Sequence, residues 1–181
     1  MDESKMLENA PTGQETSVQQ SAVVPAPAEE NVNFSGSHDH SIDTKGRMII
    51  PTSFRDGLGA RFVCALSTDN KAIALYPMAA WNAEVNEIRE LMKKNREAEK
   101  LLIRMNKFAY TDCEMDSQGR ILLPAKLRQK ILDTEREVNI SGAGAYVRVM
   151  TQAASDLEDE AFEREFPDPL AFIASIQQGK N

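Results

Sequence analysis

The sequence predicts an α+β fold, mainly β with helices, in which two duplicated halves share one core. Three observations carry that prediction. First, residues 41–58 (SIDTKGRMIIPTSFRDGL) align with 114–131 (EMDSQGRILLPAKLRQKI) at an offset of 73, with five of eighteen positions identical. Average residue usage gives roughly one identity by chance. Second, short apolar runs bounded by turn residues recur in both halves, the pattern of strands. Third, a stretch of about 30 residues between the halves repeats with helical period. Two copies at this spacing point to a pseudo-twofold domain rather than a solenoid.

Residues 1–33 read as a disordered tail, rich in Gln, Ser, Glu, Ala and Pro and without a sustained hydrophobic period. Residues 34–83 form the first repeat, 84–109 a helical connector, 110–153 the second repeat, and 154–181 an acidic helix and tail. Within each repeat a short strand ends at Asp43 or Asp116, and TKGR or SQGR makes a tight turn. Gly46 and Gly119 suit that turn because glycine accepts a positive φ. Met48-Ile49-Ile50 and Ile121-Leu122-Leu123 are continuous apolar runs, as expected of strands buried on both faces. Pro51 and Pro124 end these strands and open a short helix. Its buried stripe is Phe54/Leu58 in one half and Leu127/Ile131 in the other. A hairpin closes each half. Phe62–Leu66 and Ala72–Tyr76 flank Thr68–Lys71; Val138–Ile140 and Tyr146–Met150 flank Ser141–Gly144. In the connector, Trp81, Val85, Ile88 and Met92 share one face, as do Ala98, Leu102, Met105 and Ala109. The polar run Lys93–Glu97 predicts a bend there. After Met150, an acidic helix presents Leu157, Ala161 and Phe162 and stops at Pro167-Asp168-Pro169.

Charge is distributed unevenly along the 181 residues, whose net formal charge is −7. Residues 1–40 hold seven acids and one base, and residues 152–181 hold seven acids and two bases. The middle, 41–151, holds fourteen acids and eighteen bases, so an acidic whole conceals a basic centre. The most lipid-like stretch, Ala72–Trp81, is too short to cross a bilayer, and the acidic N-terminus lacks the basic and apolar regions of a secretion signal. Two cysteines, Cys64 and Cys113, make no disulfide framework and fit a reducing cytosol. A cytoplasmic location is the expectation.

At D-x-x-G-R-x-x-x-P-x-x-x-R, present twice, the sequence resembles the MraZ family, built from two SpoVT–AbrB-type halves. Phe34-Ser35-Gly36 looks like the family's opening F-x-G, and Leu75-Tyr76-Pro77 followed by Trp81 is similar to its L-Y-P-x-x-x-W segment. Arg104 and Ala109 stand at the family's distances before Asp116. The resemblance covers about 34–153. Departures are Ser35, where the family often has a larger or basic residue, Val149-Met150, where it often has Trp, and the long N-terminal tail. The resemblance implies a swapped-hairpin AbrB-like β-barrel formed jointly by both halves and a ring-shaped homo-oligomer. It further implies a transcriptional repressor that binds short direct repeats in its own promoter, upstream of the division and cell-wall gene cluster. The expected partners are therefore double-stranded DNA and further copies of the chain, with no cofactor, metal, membrane or small-molecule substrate.

Residue chemistry supports DNA as the partner on separate grounds. A two-stranded β-ribbon fits the major groove, and a guanidinium can bond guanine O6 and N7 together, or a phosphate. Lys45 and Arg47 lie in the first turn, Gln118 and Arg120 in the second. Arg55 and Arg128 lie just beyond the prolines, placed either to reach phosphates or to hold the barrel together. Asp43 and Asp116 would repel DNA if they faced it, so each is read as accepting turn N–H groups or orienting its arginine. An internal salt bridge to these aspartates is the competing role for Arg47 and Arg120.

Other chemistries fit poorly. Asp-Thr and Asp-Ser, once per half, have the look of an aspartic-protease pair, but an extra residue precedes each Gly and an Arg follows it. That cation would keep both carboxylates ionised, so the chain is not expected to be an enzyme. His38-Asp39-His40 lacks further ligands at suitable spacing and is read as a polar strand entrance. Cys64 is read as core, and Trp81 as an anchor on its helix face. A protein-binding scaffold, such as half of a toxin–antitoxin pair, is the remaining class.

Overall fold

The computed structural model describes residues 32–178. Most of the tail expected at 1–33, through residue 31, and the last three residues lie outside the described residues. The first half runs β1 (Ser37–Ser41), β2 (Arg47–Ile49), α1 (Thr52–Leu58), β3 (Arg61–Leu66) and β4 (Ile73–Pro77). Two helices follow, α2 (Met78–Met92) and α3 (Glu97–Lys107). The second half repeats the pattern with β5 (Tyr110–Glu114), β6 (Arg120–Leu122), α4 (Ala125–Ile131), β7 (Glu137–Gly142) and β8 (Val147–Thr151). The chain ends in α5 (Gln152–Glu165) and α6 (Pro169–Gln178).

Six strands form one sheet in the order β1-β7-β8-β4-β3-β5, and β2 pairs with β6 in a separate ribbon; every pair is antiparallel. Exchanging β1 with β5, β7 with β3 and β8 with β4 leaves that order unchanged, which is the pseudo-twofold symmetry of the repeat. The first strand of each half bonds to the hairpin of the other: β1 to β7, and β5 to β3. The halves are interleaved, so neither owns a complete sheet. The expected barrel is corrected in one respect. The sheet does not close, because β1 and β5 are its edges. The strands that follow them are turned away by tight turns at 43–46 and 116–119 and stopped after three residues by Pro51 and Pro124. They bond to each other across the axis instead, at Met48 opposite Ile121.

Both faces of the sheet are covered at its centre, which explains the unbroken apolar run in β3. One face packs Phe62, Cys64, Ile73, Leu75, Ile140 and Val149 against Met48, Ile121, Phe54 and Leu127 from the ribbon, α1 and α4. The other packs Val63, Ala65, Ala74 and Tyr76 against Trp81, Val85, Ile88 and Met105 of α2 and α3. Trp81 meets Tyr76 edge-on at 5.5 Å. The helical connector is two helices, broken at Lys93–Arg96.

The second half differs in three places. Its hairpin strand extends through Ser141 and Gly142, which pair with Arg148 and Val147, so the turn falls two residues later than expected. Helix α5 occupies the place that α2 has in the first half but buries no residue; Leu157 and Phe162 are 65% and 53% exposed. The fourth and eighth residues of α2 are Trp81 and Val85, whereas those of α5 are Ser155 and Asp159. Polar residues at the inward positions remove the reason to dock. Arg148 ties α5 on instead, at 3.1 Å from Glu158 and 3.1 Å from Asp69. The segment expected as a tail contains α6, whose start is capped by Asp168 Oδ1 accepting from the Ala171 N–H at 3.0 Å.

Candidate nucleic-acid interface

Each of the two turns is built around one carboxylate. Asp43 Oδ1 accepts the backbone N–H groups of Lys45 (2.9 Å) and Arg47 (2.8 Å), and its Oδ2 accepts Arg47 Nε at 2.7 Å. Asp116 repeats this with Gln118 N (2.9 Å), Arg120 N (2.9 Å) and Arg120 Nε (2.7 Å). The N–H of Gly46 returns to Asp43 O and that of Gly119 to Asp116 O, both at 2.9 Å. These reversals need φ of +82° at Gly46 and +77° at Gly119.

The bonds keep both aspartates charged. The Arg47 backbone N–H, then its guanidinium and the Lys45 N–H, lower Asp43 from 3.8 to about 2. Asp116 is lowered by the equivalent N–H of Arg120 and its guanidinium. A depressed carboxylate stabilises the fold above its unfolded value and loses that contribution only as pH falls through its folded value. The turns therefore keep their charge pattern throughout the neutral range.

The pairing leaves each arginine usable. Only Nε is engaged; the terminal Nη groups of Arg47 and Arg120 make no hydrogen bond to the described residues, and each side chain is 37% exposed. An aspartate on Nε fixes the plane of the guanidinium and leaves its Nη edge facing outward. Lys45 and Gln118 are exposed beside them.

Arg55 and Arg128 cross between the halves. Arg128 Nη1 donates to Lys45 O at 3.3 Å, and its guanidinium lies over Gly46, where a Cβ would overlap it. Arg55 Nε donates to Ile50 O at 2.9 Å, and its guanidinium lies over Gly119. The ribbon is locked by Ile50 N–H to Gly119 O (2.8 Å) and Leu123 N–H to Gly46 O (3.1 Å). Each helix arginine thus braces the opposite turn. Gly46→Ala should displace Arg128 and force a side chain into the left-handed region, at a cost of about 1–2 kcal/mol. Thermal unfolding should then fall by about 2–8 °C; an unchanged midpoint would show that the turn tolerates a side chain.

One expectation for the ribbon is corrected. Met48, Ile50, Ile121 and Leu123 are buried, but Ile49 and Leu122 are 46% and 60% exposed. A strand in a two-stranded ribbon has only one face against the core, so alternate residues of an apolar run must point outward. Nothing in the residue types marked these two. The cysteines hold another contact that sequence distance concealed: Cys64, fully buried on β3, shares the core with half-buried Cys113 on β5, whose thiol donates to Tyr110 O at 3.5 Å. The neighbouring Cys113 and burial push the Cys64 thiol up.

Comparison with known proteins follows this geometry closely. The family model described as "MraZ protein, putative antitoxin-like" matches residues 33–103 and 109–150, which include both turns, both prolines and both bracing arginines. A transcriptional regulator MraZ from Desulforamulus reducens is 35% identical over 133 residues, covering 74% of this chain and 92% of that one. Its namesake from Pelotomaculum thermopropionicum is 37% identical over 137 residues, covering 71% and 92%. A third, from Alkaliphilus oremlandii, is 37% identical over 116 residues, covering 64% and 79%.

Proposed function

Since the chain belongs to the MraZ family, whose curated members are named transcriptional regulators rather than enzymes, we propose that it is a regulator acting by direct contact with double-stranded DNA. The observation that carries this reading is the pair of Asp–Arg turns held at the two ends of the short β2–β6 ribbon, each offering an oriented guanidinium edge. Arg47 and Arg120 contact bases or phosphates, Lys45 and Gln118 add donors, and Arg55 and Arg128 act chiefly by holding the turns. Asp43 and Asp116 position the arginines.

One protomer offers few cations to a duplex. A ring-shaped homo-oligomer spanning successive promoter repeats raises the effective concentration of each turn and can exceed single-site affinity by ~10²–10⁴. The target is a set of short direct repeats in the protein's own promoter, upstream of the division and cell-wall gene cluster, and the outcome is repression at the nucleoid. No described helix is long and apolar enough to cross a membrane.

A mobility shift with the gene's own upstream sequence at several salt concentrations tests the reading. Binding should show a negative slope of log K against log salt. Arg47→Ala should make that slope shallower by about one per contacting protomer while the oligomer persists. No shift at any salt, or a slope unaffected by the variant, overturns DNA contact at this turn.

A further inference from the structure

The outward face of the ribbon carries two aliphatic side chains among its cations, and the described residues leave both exposed. Strands β2 and β6 alternate, burying Met48 and Ile121 and turning Arg47, Ile49, Arg120 and Leu122 outward. The register sets Arg47 opposite Leu122 and Ile49 opposite Arg120. Each oriented guanidinium therefore has an exposed aliphatic group directly across the strand pair, and the pseudo-twofold axis exchanges the two pairs. Ile49 and Leu122 are among the most exposed aliphatic residues outside the helices.

We propose that Ile49 and Leu122 contact the C5-methyl groups of thymines in the major groove, next to the bases or phosphates held by Arg47 and Arg120. The inference rests on the DNA reading above and adds sequence specificity to it. In the major groove the thymine methyl is the apolar feature that separates thymine from cytosine, and aliphatic contact is how a protein detects it. A guanidinium cannot supply that contact. A ribbon presenting both groups in one plane can test a purine and a neighbouring thymine together.

Charge selects DNA over a second protein as the occupant of this face. Lys45, Arg47 and Arg120 surround the aliphatic pair. Clefts on either side of the ribbon join Leu122 to Lys45 and Arg128, and Ile49 to Arg55. Against these five cations stand four carboxylates: Asp43 and Asp116, each already bonded to its own arginine, and Asp112 and Glu114 on the wall of the Leu122 cleft, Glu114 lying 3.5 Å from Arg61. An excess of positive charge around two small apolar groups matches a polyanion with embedded methyls, where an ordinary protein interface would have an apolar centre depleted in charge.

The test uses the full chain and two duplexes: the gene's own upstream sequence, and the same sequence with deoxyuridine replacing thymidine, which removes the methyls and keeps the pairing. Wild-type protein should bind the uracil duplex more weakly, by about fourfold for each contacted methyl, the transfer value of one buried carbon. Ile49→Ser combined with Leu122→Ser should bind both duplexes alike. If that variant fails to fold by circular dichroism, Ile49→Val and Leu122→Val, each one carbon shorter, should narrow the thymine/uracil ratio. Equal wild-type affinity for the two duplexes, or an undiminished ratio in a folded variant, overturns the proposal and leaves DNA binding standing. Failure of wild type to bind either duplex overturns the DNA reading and this inference with it.

Discussion

Converting Asp43 and Asp116 together to asparagine should weaken binding to the upstream duplex by about tenfold, since correctly placed arginines are what such an interface loses most by losing. Simple charge counting predicts the reverse: two negative charges leave a surface that meets a polyanion, and affinity should rise. The local geometry decides between them. The Asp43 Oδ1 that accepts from Lys45 and Arg47 can be replaced by the amide oxygen of asparagine, so the turn itself survives. The Oδ2 that accepts Arg47 Nε becomes an NH₂ group facing another donor, and the guanidinium is released. Asp116 and Arg120 behave alike. Freed arginines still attract phosphate, so the salt slope should persist while affinity and discrimination among sequences fall. Fluorescence anisotropy on matched and scrambled duplexes measures both. Tighter binding with full discrimination would mean that the aspartates only repel and position nothing.

Phe54→Ala should lower stability by about 3–5 kcal/mol. For a chain of this size the midpoint then falls by about 6–20 °C. Phe54 is 1% exposed and meets the rings of Phe34 at 5.8 Å and His38 at 5.4 Å, both edge-on. It sits in the core shared by the two halves, alongside Leu127 and Ile121 from the second repeat. Because β1 completes the second hairpin and β5 the first, damage in one half cannot be confined there. Far-UV and near-UV signals should melt together in one transition, for the variant as for the wild type. Two separated transitions would show that the halves fold independently and that the interleaving contributes little to cooperativity.

Much of this architecture was legible in the residues because its rules are local. A tight turn needs glycine at a positive φ, a strand stops at proline, and a four-residue apolar spacing marks α1 and α4. Asp43 and Asp116 were readable as acceptors of turn N–H groups because their partners lie two and four residues away. The arginine–aspartate pairs were foreseeable on the same ground, and the orientation left by an Nε contact was not. Helix α6 was missed although Asp168 and Pro169 are a sound start, since a short apolar segment after two prolines looks like a chain end.

The duplication, the turns and the cations within them are determined by the sequence alone, because each depends on neighbours within a few positions. Tertiary structure alone decided which half each edge strand would join, that the sheet would stay open, and that Arg55 and Arg128 would brace the opposite turns. It also decided that Ile49 and Leu122 would face outward and that Cys64 would meet Cys113. These outcomes depend on how two similar halves pack together. Side chains of one half occupy space that the other half defines, and no periodicity within either copy records that partner.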